Sequence, residues 1–463
     1  MLSKKDGVWI PGVFFAVSLA VYFLSLNHYF INDDLIHLEF VKNFHGRYRD
    51  FLFPHLRPSD VVTHARYEPF HILFYAFLYK LLGGFFPAYQ LLHIAVHALN
   101  AFLIYKIGKK LNPGSAGAFL AGLFFCVYRL NSQEVLWYAS LFCTVTTTLM
   151  LAAFLLFLKQ NGRSCFYSVL LFLGAVLLSL RAHQFLLFAA AYFLVFRKDL
   201  LREGLLKLNL MTLAGYGAAA AFSIAANAVS WRYFPNEIPG FEADVYGFFV
   251  FFLNLVCPYE VGIPFKAAML LLFCAAVILH RKERAVVFLA SAVVLNALFW
   301  TFMFSSAHLP YAPRYLYWAA VPFCLLLGHF TGLAFESGVP YKKFCAIVLA
   351  VLFVGGNAFF VGSQDIVWFR YLSLRGQKLD EVSRLAGTEK KKVFIQDDFF
   401  SNDPNLDYFK DKLAFVSAAE AADFTVDLER GRYVKYFGRD FGKEYWYQPW
   451  FIKKPCREDT PWC

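Results

Sequence analysis

Val8-Trp-Ile-Pro-Gly-Val-Phe-Phe-Ala-Val-Ser-Leu-Ala-Val-Tyr-Phe-Leu-Ser-Leu26 is an uncharged apolar run that follows Lys4 and Lys5 and precedes Phe30-Ile-Asn-Asp-Asp-Leu-Ile-His37. About 20 such residues are what a helix needs to cross the hydrocarbon core of a bilayer. The run is long for the apolar region of a secretory signal, and no small-x-small cleavage site follows it, so it reads as a retained span. A basic N-terminus then stays in the cytoplasm, and the adjacent acids Asp33 and Asp34 emerge on the other side. Carboxylates placed this close to a bilayer are costly and seldom idle.

The same pattern recurs along the chain. Of its 463 residues, 59% are hydrophobic and 20% aromatic, with a mean hydropathy of +0.49. A soluble protein of this length could not hide so much apolar surface. Apolar runs lie near 8–27, 85–107, 115–130, 136–158, 164–180, 183–196, 208–231, 264–280, 285–306, 314–333 and 341–362. They predict an all-α polytopic membrane protein with about eleven transmembrane helices. Two shorter or more aromatic stretches, 69–82 and 245–256, each adjoin a long polar loop and read as interfacial helices.

Charge orients the bundle. The candidates for cytoplasmic connectors are Lys106/Lys109/Lys110, Lys159/Arg163, Arg197/Lys198/Arg202/Lys207, Arg281/Lys282/Arg284 and Lys342/Lys343. With the spans above, all fall on one side, as the positive-inside rule requires. The net charge of +11 therefore orients helices rather than reading a nucleic acid. The opposite side collects loop 28–68, the turn Arg129-Leu-Asn-Ser-Gln-Glu134, Arg181-Ala-His183, loop 232–263, Ser305 to Arg314 and the tail from 365. The expected organisation is a transmembrane domain over 1–363 and an extracytoplasmic domain over 364–463, a small α/β appendage with strands at Val393-Phe-Ile-Gln and near 413–417 and 424–428. No repeat or low-complexity tract interrupts it. Of nine cysteines, most sit in apolar runs, while Cys257, Cys456 and Cys463 fall outside them; a disulfide between Cys456 and Cys463 requires an oxidising compartment.

An acid pair, histidines and arginines thus gather on one membrane face. That suits a reaction at the water–lipid boundary, in which a carboxylate deprotonates a hydroxyl and an arginine meets an anionic leaving group. The segments Arg66-Tyr-Glu-Pro-Phe-His71, Leu82-Gly-Gly-Phe-Phe-Pro87, Leu92-His-Ile-Ala-Val-His-Ala-Leu-Asn-Ala101, Asn131-Ser-Gln-Glu-Val-Leu-Trp-Tyr-Ala-Ser140, Leu178-Ser-Leu-Arg181 and Pro313-Arg-Tyr-Leu-Tyr317 follow one another in an order that resembles the GT-C fold glycosyltransferases. Within that superfamily the chain is most similar to the branch of protein O-mannosyltransferases and transmembrane-TPR mannosyltransferases. The resemblance covers about residues 8–330, in short and partly apolar motifs.

The resemblance implies a multi-pass enzyme, in a bacterial inner membrane, that moves a sugar from a polyprenyl-phosphate donor to a glycan, lipid or protein hydroxyl with inversion. It places the catalytic acid at Asp33, with Asp34 second, and the contact to the lipid phosphate at Arg314. Tyr315, Glu68, His71, Glu134, Arg181 and His183 share that face as substrate-binding candidates. A divalent cation, Mg2+ or Mn2+, is a further candidate, although two neighbouring acids are a thin ligand set. The chain departs from its relatives at Glu68-Pro69, where they often carry Arg-Pro, and at Arg181-Ala182, where they often carry Lys-Glu. It also lacks their TPR array.

Each sharp assignment has a plain competitor. Asp33 or Asp34 could cap a helix starting near Leu35, and Arg314 could be an interfacial side chain snorkelling to headgroups. His93 and His97, one turn apart, read more readily as satisfied bundle residues than as half a metal site. His28, His37, His64 and His308 read as solvated loop residues. A transporter of lipid-linked sugars predicts broken helices at matched positions in two halves. A non-catalytic scaffold of envelope assembly predicts that substituting the acids changes nothing.

Overall fold

A computed structural model describes residues 6–27, 67–83, 85–112, 115–233, 245–257, 263–303, 313–389, 394–396 and 433–435. These are almost entirely helical. The helices are α1 (Asp6–Val21), α2 (Pro69–Leu82), α3 (Phe86–Leu111), α4 (Ser115–Val127), the single turn α5 (Ser132–Leu136), α6 (Leu141–Phe157) and α7 (Gly162–Leu178). They continue with α8 (Gln184–Arg202), α9 (Leu206–Tyr233), α10 (Val245–Val256), α11 (Ile263–Leu279), α12 (Arg284–Met303), α13 (Ala320–Glu336) and α14 (Pro340–Glu389). Each apolar run read from the sequence, including 69–82 and 245–256, has one of these helices over most of its length. Four segments, Phe86–Leu111, Tyr138–Phe157, Leu206–Ser230 and Pro340–Ser363, are long and apolar enough to cross a membrane, and seven shorter apolar helices accompany them among the described residues.

Local sequence sets the ends. Pro69 opens α2, where its missing N–H is no loss, and Gly83, at φ 58°, closes it. The Asn161 carboxamide caps α7 by accepting from Ser164 N at 2.9 Å. Lys109 and Lys110 stand in the last turn of α3, opposite the negative end of its dipole. Three boundaries differ from the expectation. The membrane-length segment starts at Tyr138 and not at 136, and its first residues, Tyr138–Ser140, form a 3-10 turn before α6 begins. Likewise α13 starts at Ala320 and not near 314, because Pro322 has no N–H to donate back and fits only in a first turn. Arg314 and Tyr315 therefore sit on a separate 3-10 turn, Pro313–Leu316. The last helix runs unbroken through the expected boundary at 363 to Glu389.

Packing follows the small residues. Helix α3 is central and touches α1, α4 and α6; α4 packs along α13, and α13 along α12 and α14. On the other side α6, α7, α9, α8 and α12 pack in succession. Helices α4 and α13 approach closely: a methyl group on Gly117 would lie 2.6 Å from the Gly328 carbonyl oxygen. Gly328 and Gly332 form a Gly-x-x-x-Gly face, which lets backbones meet where lipid supplies no hydrophobic drive. Large apolar side chains remain exposed on α11 and on the first half of α14, such as Leu271, Leu272, Leu349 and Leu352. Near the C-terminus Phe394–Gln396 and Tyr433–Lys435 pair in parallel; the appendage expected around them lies outside the described residues, as do Cys456, Cys463, His28, His37, His64 and His308.

Candidate functional site

Three helix-to-helix connectors meet at one end of the bundle. They are residues 128–140 between α4 and α6, residues 179–183 between α7 and α8, and the turn Pro313–Leu316 before α13. Each is too short to leave the protein and too irregular to satisfy its own backbone, so side chains take up the groups that are left. Asn131 Nδ2 donates to Phe125 O at 2.8 Å, Ser132 Oγ to Arg129 O at 2.6 Å, and Gln184 Nε2 to Arg181 O at 3.2 Å.

Glu134 and Arg181 face each other across two of them. Arg181 Nη1 lies 3.3 Å from Glu134 Oε2 and 3.4 Å from Oε1. Glu134 is fully buried, while the Arg181 side chain is 19% exposed. Burial draws the Arg181 pKa down, but the neighbouring Cys143 and Glu134 more than reverse this, so the guanidinium is held above its ordinary value and charged. The guanidinium carbon sits 4.7 Å from the centre of the Tyr315 ring, a cation–π distance. Tyr315 in turn packs on Trp300 at 5.2 Å, and Trp300 Nε1 donates to Gln184 Oε1 at 3.0 Å. A cavity of ≈ 10 Å³ opens beside the pair, lined by Glu134, Arg181, Tyr315, Tyr317, Trp318 and Thr147 among others, and holds about one water. The buried Trp318 Nε1 has no partner among the described residues.

Glu68 and His71 join the same end from α2. Glu68 Oε1 accepts from Leu180 N at 2.7 Å, and Oε2 lies 3.5 Å from His71 Nδ1. The His71 ring stacks on Phe142 at 3.8 Å. His183 is turned back on its own connector, its Nδ1 2.7 Å from Leu180 O. The structure thus brings Glu68, His71, Glu134, Arg181, His183 and Tyr315 to one end of the helices. Asp33, Asp34 and the side chain of Arg314 lie outside the described residues. The connectors rich in Lys and Arg occupy the opposite end. There Arg284 pairs with Asp199, and Glu283 meets His280 at 2.8 Å and His329 at 2.6 Å.

The His93–His97 pair is absorbed into the core. His93 Nε2 lies 2.7 Å from Thr144 Oγ1, His97 Nδ1 2.8 Å from the Tyr317 hydroxyl, and His97 Nε2 3.1 Å from Cys126 O. Asn100 continues this network, donating to Thr144 O at 3.1 Å and accepting from Thr148 Oγ1 at 2.6 Å. Among the described residues no three His, Cys, Asp or Glu side chains come together as a metal site.

Two residues at this end escaped the sequence reading. Asp365, 1% exposed, sits on α14 and accepts from Ser25 N at 3.1 Å. Asn227, fully buried on α9, accepts from Tyr67 N at 2.7 Å. The available signal was a polar residue within or at the edge of an apolar helix, which is expensive unless bonded. No family model matches this chain, and no curated protein matches it.

Proposed function

We propose that the chain is a membrane-embedded glycosyltransferase that moves a sugar from a polyprenyl-phosphate donor to an acceptor hydroxyl on the extracytoplasmic face, with inversion. One observation carries this reading: a charged and aromatic cluster, Glu134–Arg181–Tyr315, is enclosed at the end of the bundle opposite the basic connectors. Both ends of the stretch bearing Asp33 and Asp34 are tied to the same end. The four membrane-length helices and the segregation of Lys and Arg support the setting.

In the proposed reaction Asp33 takes the proton of the acceptor hydroxyl as that oxygen bonds to the anomeric carbon. The bond from the anomeric carbon to the phosphate oxygen breaks, and its electron pair leaves with the polyprenyl phosphate. Arg314 and Arg181 meet the departing anion, and because phosphate is already stable as an anion no general acid is required. Tyr315 and Glu134 fix the plane of the Arg181 guanidinium, so its donors need little reorganisation. Glu68, His71 and His183 line the same end as contacts for the sugar or the acceptor, and Asp34 supports Asp33.

The test is incubation of the purified protein in nanodiscs with radiolabelled polyprenyl-phosphate sugars, scoring release of polyprenyl phosphate with and without chelator. Release that needs intact Asp33 and Arg181 is expected. Absence of release across mannosyl, glucosyl and aminosugar donors would overturn the proposal.

A further inference from the structure

Gln90, His93, His97 and Asn100 recur on α3 at intervals of three and four, which puts them on one face of the helix. All four are fully buried. A polar side chain inside a membrane bundle is costly unless it is bonded, and apolar residues would fill the same face without that cost. The partners of this face are therefore informative. Gln90 Nε2 donates to Val135 O at 2.8 Å, the carbonyl next to Glu134. His93 Nε2 lies 2.7 Å from Thr144 Oγ1 on α6. His97 and Asn100 converge on the hydroxyl of Tyr317.

With a neutral imidazole the bonds around that hydroxyl run in one direction. Cys126 O only accepts, so His97 Nε2, 3.1 Å away, carries the ring proton. Nδ1 is then the acceptor and takes the Tyr317 O–H at 2.8 Å. Asn100 Nδ2 donates to the same hydroxyl oxygen at 3.2 Å, and Asn100 Oδ1 accepts from Thr148 Oγ1 at 2.6 Å. The chain passes from Thr148 to Asn100, Tyr317, His97 and Cys126 O, and so ties α6, α3, the segment before α13 and α4 together. Cys126 O is one of the last carbonyls of α4, which the helix cannot satisfy by itself. Only Leu316 separates Tyr317 from Tyr315, whose ring centre lies 4.7 Å from the Arg181 guanidinium carbon. We propose that His97 and Asn100 are positioning residues: they hold the Tyr317 hydroxyl, and through it keep the Tyr315 ring over Arg181. Their effect on transfer rests on the glycosyltransferase reading; the holding of residues 315–317 does not.

The experiment uses the full chain in nanodiscs, as wild type, Tyr317→Phe, His97→Leu, His97→Asn, Asn100→Leu and Thr212→Val, with two readouts. The first is amide hydrogen exchange followed by mass spectrometry. Tyr317→Phe, which deletes one oxygen, speeds exchange in the peptide spanning 315–321 by about tenfold, the value of one lost hydrogen bond. His97→Leu and Asn100→Leu do the same, and all three leave Gly162–Leu178 unchanged. His97→Asn, whose Oδ1 stands where Nδ1 stood, restores protection. Thr212→Val removes a buried hydroxyl from α9 and leaves the 315–321 peptide at the wild-type rate. Wild-type exchange there in Tyr317→Phe, or an equal rise in Thr212→Val, overturns the proposal. If His97→Leu or Asn100→Leu does not fold, Tyr317→Phe, which keeps the ring, decides under the same criteria. The second readout is sugar transfer. Arg181 meets the departing anion, so kcat falls in Tyr317→Phe and His97→Leu with donor KM held, and recovers in His97→Asn. Unchanged kcat with faster exchange at 315–321 refutes positioning. If the wild type transfers no sugar, the glycosyltransferase reading falls, and the exchange result alone decides whether residues 315–317 are held.

Discussion

The Arg181 guanidinium and the Glu134 carboxylate meet at 3.3 Å from connectors 47 positions apart in the chain. Their pairing is a product of how α6, α7 and α8 stack, and the Tyr315 ring closes the third side. Removing one partner strands the other inside. Glu134→Ala is expected to cost about 3–5 kcal/mol of stability, the cost of an uncompensated buried charge. The double variant Glu134→Leu/Arg181→Met recovers most of that loss while transfer stays absent. Thermal unfolding of the purified variants, followed by intrinsic tryptophan fluorescence, checks both halves. If the single variant proves as stable as wild type, the pair does not hold the connectors together.

Asp33→Asn should abolish sugar transfer and leave the amount of protein in the membrane unchanged. The amide keeps the size of the side chain and any helix-capping bond, but loses the base. Full transfer by this variant removes Asp33 from the mechanism and turns attention to Asp34.

Gly328 tests the helix contact. A Leu there must push into Gly117 O and Ala121, where even a methyl group would lie 2.5 and 2.6 Å away. Overpacking of this kind costs about 1–3 kcal/mol, and backbone on both sides leaves no flexible side chain to give way. Gly328→Leu is therefore expected to lower the unfolding midpoint and the yield, whereas Gly355→Leu, at an open position of α14, is not. Equal midpoints for the two variants contradict the close packing of α4 and α13.

Glu283 gives the basic end a dependence on pH. Burial pushes its carboxyl up, but the hydrogen bonds from His280 and His329 outweigh burial and hold it below its ordinary 4.5. A carboxylate with a depressed folded-state pKa stabilises the fold above that ordinary value. The contribution is lost as pH falls through the lower, folded-state one. The group is partly exposed, so the amount is small, about 1 kcal/mol or less. Stability measured from pH 7 down to 3 should fall less steeply in Glu283→Gln than in wild type. A steeper fall in the variant reverses the sign and removes the assignment.

Much of the architecture was legible because a bilayer imposes a length. Val8–Leu26 and the later apolar runs could be counted without knowing their neighbours, and each is helical over most of its length. The grouping of Glu68, Glu134, Arg181 and Tyr315 at one end was also legible, since alternate connectors of a helical hairpin series fall on alternate sides. Starts such as Ala320 were less so, because aromatic residues like Tyr317 and Trp318 look the same in a span and in a buried turn. The closure of Asp365 on Ser25 and of Asn227 on Tyr67 left only a faint trace, one polar residue each in α14 and α9.

What the sequence by itself determined is the class of molecule and the end at which its polar residues collect, because hydropathy and charge act segment by segment against a solvent of known thickness. What only the tertiary structure decided is which of those residues touch. Hydrogen bonds and ion pairs between connectors depend on angstrom-scale packing of helices distant along the chain, as in the close contact of Gly117 with Gly328.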